Sequence, residues 1–317
     1  MWIETVLVLL GFILLVYGGD MLVDNASDIA RYFGISELVI GLTIVAFGTS
    51  APELMVSLSS SFRGLNDFVF GNIFGSNIIN ILLGLGLAGI ILPLKVKRST
   101  VKFEVPFLVI ITFICSILIN DHFLDNHTNV LSSSDGAILF LLFILFLVYT
   151  YKISRSEQNT TVEEKPDSIL KPIVLFLVGC ACLKYGSDFV VVNAEILGRA
   201  LQISDAIIGL TVLALGTSLP ELVVSISAVK KGSADIAVGG MVGSNIFNLL
   251  LVLGVSSIIS PIPYSSELNY DLIYVNLAAV LLLCFIIFGR RELLSKRSSF
   301  MFLVIFSGYS IHRFFLQ

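Results

Sequence analysis

Gly48-Thr49-Ser50-Ala51-Pro52-Glu53 places a proline and a carboxylate inside an apolar stretch, and Gly216-Thr217-Ser218-Leu219-Pro220-Glu221 does so again 168 residues later. The offset holds without a gap on both sides. Upstream, Tyr17-Gly18-Gly19-Asp20 returns as Tyr185-Gly186-Ser187-Asp188, and Gly41-Leu42-Thr43 as Gly209-Leu210-Thr211. Downstream, Gly75-Ser76-Asn77-Ile78-Ile79-Asn80 returns as Gly243-Ser244-Asn245-Ile246-Phe247-Asn248. About half the positions from Tyr17/Tyr185 to Pro93/Pro261 are identical. Apolar helices resemble one another by composition, but not gaplessly at Pro, Glu, Asn and Ser, so the chain is an internal duplication.

The surroundings are those of a bilayer. Of 317 residues, 56% are hydrophobic and only 13% charged, with a mean hydropathy of +0.97. Soluble domains carry about 25% charged residues, so a soluble enzyme, a disordered chain and a disulfide scaffold are excluded. The net charge of −4 is scattered and offers nothing to a nucleic acid. Apolar runs centre near Leu10, Ile44, Leu82, Ile111, Leu142, Leu183, Leu213, Leu250, Leu281 and Phe306. Lipid leaves no partner for unpaired backbone groups, so spans are helices or closed barrels. No barrel alternation is present, and the expected class is an all-α membrane protein of ten transmembrane helices. The first run carries Glu4 rather than a basic leader and has no small-residue cleavage site, so it reads as a retained span.

Loop charge tests that count. With the N-terminus outside, fifteen of the nineteen Lys and Arg residues fall on inner segments. Arg63, Arg199 and Arg313 fall outside, and Lys184 lies within a span, where it snorkels or pairs locally. Both termini are expected outside, with 152–171 a cytoplasmic linker. Residues 1–151 form a first five-helix repeat, its α-repeat at about 36–92; residues 172–317 form the second, its α-repeat at about 204–260. Five is odd, so the halves enter the membrane in opposite senses. Such inverted repeats carry a substrate site near the midplane on helices broken by Gly and Pro. Asn126-His127-Thr128 matches a glycosylation sequon, which matters only in a eukaryotic source.

The chemistry follows from the repeated polar residues. Pro52 and Pro220 lack an N–H, and Gly-Thr-Ser before each tolerates unwinding, which would free carbonyls at Ala46, Thr49, Ala214 and Thr217. Glu53 and Glu221 follow at once. A carboxylate at the bilayer centre costs about 2.5 kcal/mol or more, and no Lys or Arg stands at matching depth in both halves. A bound cation, or protonation, must balance the pair. Ser76 with Asn80, and Ser244 with Asn248, share a helical face at a spacing of four, whereas Asn77 and Asn245 point elsewhere. Carboxylates, hydroxyls, carbonyls and amides are hard oxygen donors that suit Ca²⁺ or Na⁺. Gly71/Gly75 and Gly239/Gly243 read as close-packing pairs. Asp20 and Asp188 read as interfacial or capping groups. The four cysteines read as buried hydrophobes, and His122, His127 and His312 form no ligand set. No nucleophile–base pair or HExxH motif is present, so a hydrolase is not expected.

The doubled GTSxPE and GSNIxN motifs resemble the two α-repeats of sodium/calcium exchangers, within the cation/calcium antiporter superfamily, above all its compact prokaryotic members. That resemblance covers essentially the whole chain. It implies alternating access, Na⁺ entry driving Ca²⁺ extrusion through a shared site, and location in a prokaryotic inner membrane, with no cofactor and no obligate protein partner. It also implies that Glu53 and Glu221 are the central ligands and that the Thr49 and Thr217 carbonyls complete the Ca²⁺ site. Ser50, Ser218, Ser76 and Ser244, with the Ala46 and Ala214 carbonyls, would serve flanking Na⁺ sites, and Asn80 and Asn248 the middle. The potassium-dependent branch has an acid where Asn248 stands, and the proton-coupled branch adds one at the GSN positions. Both alternatives therefore fit less well than Na⁺ coupling. Gly240 stands where the first half has Asn72. The linker is too short for calcium-sensing regulatory domains.

Overall fold

The computed structural model describes residues 2–120, 129–156, 168–201, 214–289 and 293–315. The sequon, most of the linker, the first part of the seventh span, and Gly209-Leu210-Thr211 lie outside them. Ten helical rods follow in order: α1 Trp2–Phe33, α2 Glu37–Phe62, α3 Asn66–Ile91, α4 Thr100–Ile119, α5 Ser133–Ser156, α6 Leu170–Ala200, α7 in two pieces (Ala214–Thr217 and Leu219–Lys230), α8 Ala234–Ile259, α9 Ser266–Ile287 and α10 Lys296–Phe315. All but α7 and α10 are long and apolar enough by themselves to cross a membrane. At 1.5 Å per residue, α1 and α6 exceed the roughly 30 Å of a hydrocarbon core.

The duplication is legible in space. Leu94–Lys95 (β1) pairs with Leu293–Leu294 (β4), and Val130–Leu131 (β2) pairs with Ile262–Pro263 (β3), both antiparallel. β1 and β3 are repeat mates, so the same loop pairing occurs twice, each time tying one half to the other. Each belongs to a different membrane face, as inversion requires. Gly34, Gly64 and Gly232 close α1, α2 and α7 at φ of 66°, 71° and 82°. In each case the following N–H reaches back five residues to a helical carbonyl: Ile35 to Ala30, Leu65 to Ser60 and Ser233 to Ala228. That left-handed cap favours glycine.

Packing sorts the rods into a centre and a rim. Within the most apolar window of α8, 94% of residues are buried, and 78% for α3, against 33% for α1 and for α6. α3 and α8 are therefore the core, with lipid-facing Phe and Leu on the rest. α1 and α6 cross each other through glycine. A Cβ at Gly11 would lie 2.7 Å from the Gly186 carbonyl oxygen, and one at Gly18 would lie 3.0 Å from that of Gly179. Gly11 and Gly179, and Gly18 and Gly186, are repeat mates, so the crossing is itself two-fold. Close approach through small residues is how lipid-embedded helices gain packing.

One expectation needs correction. The first motif does not unwind: α2 stays helical through Ala46–Phe62 with Pro52 inside it, and its irregularity lies upstream as a π-helical turn over Gly41–Val45. The second motif does break, at Ser218, whose φ of −91° and ψ of 0° separate the two pieces of α7. In the third and eighth rods the interruption is again a π-helical turn, over Ile79–Leu85 and Asn248–Val252. The predicted glycine packing holds for Gly239 and Gly243, which sit on Leu38, Leu42 and Ala46. For Gly71 and Gly75 the corresponding partners, at 206 and 210, lie outside the described residues.

Candidate functional site

The π-helical turns and the proline carry the polar residues of α2, α3, α7 and α8 to the centre of the fold. Glu53, Ser218, Ser244, Asn80 and Asn248 are 0% exposed, and Thr49, Ser50, Ser76 and Glu221 are buried as well. Two contacts among these residues join the halves directly. The Ser50 hydroxyl donates to Glu221 Oε1 at 3.3 Å, and the Thr49 and Ser244 hydroxyls lie 3.3 Å apart. Thr49 Oγ1 also reaches the carbonyls of Val45 and Ala46, at 3.1 and 3.3 Å. Thr217 is half-buried in the short piece of α7, and Ala214 begins that piece.

The oxygens without a partner define the site. Buried and without a hydrogen-bond partner among the described residues are both carboxylate oxygens of Glu53, Oε2 of Glu221, the hydroxyls of Ser76 and Ser218, and the Oδ1 atoms of Asn80 and Asn248. All seven belong to residues singled out in the sequence. Neither glutamate forms an ion pair among the described residues. A buried polar atom left unpaired costs about 1–3 kcal/mol, more when charged, so this collection calls for a cation or for protonation of the carboxylates. Among the described residues there is no cluster of three or more His, Cys, Asp or Glu. Neutral oxygens supply the rest of the donors, as for Ca²⁺ and Na⁺ rather than Zn²⁺.

Asn77 and Asn245 explain why the amide oxygens are free. Asn80 Nδ2 donates to Asn245 Oδ1 at 3.0 Å, and Asn248 Nδ2 donates to Asn77 Oδ1 at 3.1 Å. Asn245 Nδ2 in turn donates to the Asn77 carbonyl at 3.2 Å, and Asn77 Nδ2 to the Asn245 carbonyl at 3.5 Å. Each of these two asparagines clasps an amide NH₂ of the other half, that of Asn80 or Asn248, and leaves only its oxygen available. The sequence reading set these two residues aside because their helical angle differs from that of Ser76 and Asn80. The missed signal was that they recur in both repeats, so that a two-fold axis can bring them face to face.

The supports of the two glutamates differ. Asn72 Nδ2 donates to Ser57 Oγ at 3.2 Å and reaches the Glu53 carbonyl at 3.5 Å. Gly240, its repeat mate, has nothing to offer, and Ser225 donates instead to the Ala237 carbonyl at 3.2 Å. Pro220 leaves the Gly216 carbonyl, four residues earlier, without a helical donor; the Ser187 hydroxyl from α6 supplies one. Its mate Gly19 cannot do the same for Gly48. Asp20 and Asp188 do not enter the site. Asp20 binds Ser227 and Lys231, and Asp188 pairs with Lys184 at 2.7 Å, the local pairing expected for that lysine.

Residues 3–152 and 171–315 match the family described as sodium/calcium exchanger protein. Over 91% of this chain and 88% of the relative, it is 38% identical to inner membrane protein YrbG of Escherichia coli. It is 31% identical to the sodium/calcium exchanger MaX1 of Methanosarcina acetivorans, over 82% of this chain and 84% of that one. Its structure resembles that of the sodium-calcium exchanger NCX_Mj, with a TM-score of 0.83, 32% identity and 99% of each chain covered.

Proposed function

The chain belongs to the sodium/calcium exchanger family, and we propose that it exchanges Na⁺ for Ca²⁺ across the membrane by alternating access, both ions competing for the site around Glu53 and Glu221. The observation that carries this reading is the set of seven unpartnered buried oxygens, two carboxylates among them, at the junction of the two halves. Ca²⁺ takes six to eight oxygen ligands, and the set matches that appetite. Two negative charges can be neutralised by one Ca²⁺ or by Na⁺, but full loading with both would leave uncompensated positive charge in a low dielectric. Competition at one site, with different affinities in the two access states, is sufficient for coupling.

In this reading Glu53 and Glu221 bind the divalent ion from opposite halves, with the Thr49 and Thr217 carbonyls. Ser50, Ser218, Ser76 and Ser244, with the carbonyls of Ala46 and Ala214, bind Na⁺. Asn80 and Asn248 present their Oδ1 atoms between them, held by Asn245 and Asn77. The bias of Lys and Arg toward one set of loops, together with the likeness to a protein named for the inner membrane, supports an inner-membrane location with both termini outside.

Proteoliposomes loaded with Na⁺ and diluted into Na⁺-free, K⁺-free buffer test the proposal. Ca²⁺ uptake that needs internal Na⁺ is expected. Uptake driven only by a pH gradient, or only with K⁺ present, would replace Na⁺ coupling by the proton or potassium alternative. Absence of uptake under every gradient would overturn Ca²⁺ as the cargo.

A further inference from the structure

The two strand pairs that tie the halves together share a backbone and differ in charge. Around β1–β4, where Leu94 faces Leu294, stand Lys95, Lys97, Arg98 and Lys102 along β1 and the start of α4, and Lys296 and Arg297 at the start of α10. Around β2–β3, Ile262 and Leu131 take the places of Leu94 and Leu294. That correspondence sets Pro263, Ser265, Ser266 and Tyr270 where the first four cations stand, and Ser133 and Ser134, at the start of α5, where Lys296 and Arg297 stand. The second ribbon forms without a single cation at these places, so the fold does not require them at the first.

The bias of basic residues toward one side of a membrane sets how many cations a face carries, not where on that face they gather. At another corner of the same face the cations are matched by acids: Lys231 pairs with Asp24, and Arg31 with Asp28. On the ribbon Lys97 pairs with Asp235 at 3.1 Å. Lys95, Lys102, Lys296 and Arg297, however, are exposed and form no ion pair among the described residues. Next to them in the chain the surface turns apolar: Leu92 is 45% exposed, Phe103 55% and Phe300 61%. Phe103 follows Lys102 directly, and Phe300 stands one turn beyond Lys296 on α10. Unpaired cations bordering exposed apolar side chains fit a ligand with an anionic head and apolar tails.

We propose that the β1–β4 ribbon is a docking surface for an anionic phospholipid of the leaflet it borders, the headgroup phosphate lying among Lys95, Lys102, Lys296 and Arg297 and the acyl chains running past Phe103 and Phe300. A soluble anion would meet the same charges but leave the adjoining aromatic side chains without a role. Each Lys or Arg near the membrane surface favours an anionic over a neutral headgroup about fivefold. β1 belongs to the first half and β4 to the second, so one headgroup bridges the seam between them on this face, and the uncharged ribbon on the other face has no such ligand. The inference does not depend on which ions the protein carries.

Quenching of tryptophan fluorescence by brominated lipids tests it on the full chain in vesicles, without any ion gradient. Trp2, the single tryptophan, is replaced by phenylalanine, and a new one is introduced beside the ribbon (Phe300→Trp) or, as a control near the other face, in α5 (Ile138→Trp, at a position 46% exposed). Competition between brominated phosphatidylglycerol and phosphatidylcholine gives their relative affinity at each position. With Phe300→Trp, phosphatidylglycerol is favoured about fivefold or more; with Ile138→Trp the two lipids bind equally. Adding Lys95→Gln, Lys102→Gln, Lys296→Gln and Arg297→Gln removes the preference at the first position. High salt weakens it without any charge substitution, which keeps the test open if the fourfold variant fails to insert. Equal affinity with Phe300→Trp, the same preference at both positions, or a preference that the four substitutions or high salt leave intact overturns the proposal. So does displacement of the lipid by inorganic phosphate at constant ionic strength, which would make the ligand a soluble anion. Loss of Na⁺-driven Ca²⁺ transport leaves these affinities standing, so the two proposals fail separately.

Discussion

The two Gly-Thr-Ser-x-Pro-Glu segments share five of six residues and yet adopt different structures. The first, in α2, is a continuous helix whose Ser50 and Thr49 hydroxyls reach across to Glu221 and Ser244. The second, in α7, breaks at Ser218, whose hydroxyl is buried without a partner among the described residues, as is that of Ser76. Perfect two-fold symmetry would pair Ser218 with Glu53 and Thr217 with Ser76. The difference teaches that the motif does not encode one conformation. It encodes donors and a proline around which the chain either stays helical, as in Ala46–Phe62, or breaks and takes a donor from a neighbouring helix, as at Gly216. Alternating access as proposed above would call on both options, because the halves would then exchange roles.

The hardest test of that comparison removes what the segments share. Glu53→Gln and Glu221→Gln each leave one charge to hold a divalent ion, and each should lower Ca²⁺ affinity by about 100-fold or more. Equal losses are expected from the two arms, and retention of binding in either would break the equivalence. Next come the clasps. Asn77→Ala and Asn245→Ala free the amides of Asn248 and Asn80 to turn, and a lost outer support of this kind lowers metal affinity about 10- to 100-fold. Calorimetric titration of the purified variants would measure it, with insertion and thermal unfolding unchanged in outline.

Smaller effects sharpen the asymmetry. Ser50→Ala deletes a hydrogen bond to a carboxylate, worth about 1.5–3 kcal/mol, and should lower the thermal stability of the ion-free protein. Ser218→Ala deletes none and should leave that stability alone while weakening ion binding; equal destabilisation by the two would remove the distinction. Smallest is Ser187→Ala, which uncovers the Gly216 carbonyl at about 1 kcal/mol and should show as faster amide exchange in the short piece of α7. No change there would mean that the break at Ser218 needs no support from α6.

What the sequence could show, and what it could not, divides along physical lines. Span number, inversion and the buried donors follow from hydropathy, an odd count of spans and a gapless repeat, and the fold agrees with them. The state of each arm does not follow. Pro52 and Pro220 are the same residue in the same context, and only the tertiary partners decide which helix bends. Thus Ser187 against Gly19, and Asn72 against Gly240, are single substitutions between the halves whose consequences appear only when the neighbouring helix is in place. The roles of Asn77 and Asn245 were hidden for a related reason. A helical wheel describes one helix, and their partners lie on the other repeat across the axis. The partner of Asp20 was hidden for the same reason, since Ser227 is more than two hundred residues distant.

The central claim is one shared cation site held by two glutamates, and equilibrium binding of radioactive Ca²⁺ to the purified protein tests it most directly. A single saturable site is predicted, emptied competitively by Na⁺ and lost in both Glu53→Gln and Glu221→Gln. Ca²⁺ binding that survives either substitution undiminished, or that saturating Na⁺ fails to displace, would contradict it.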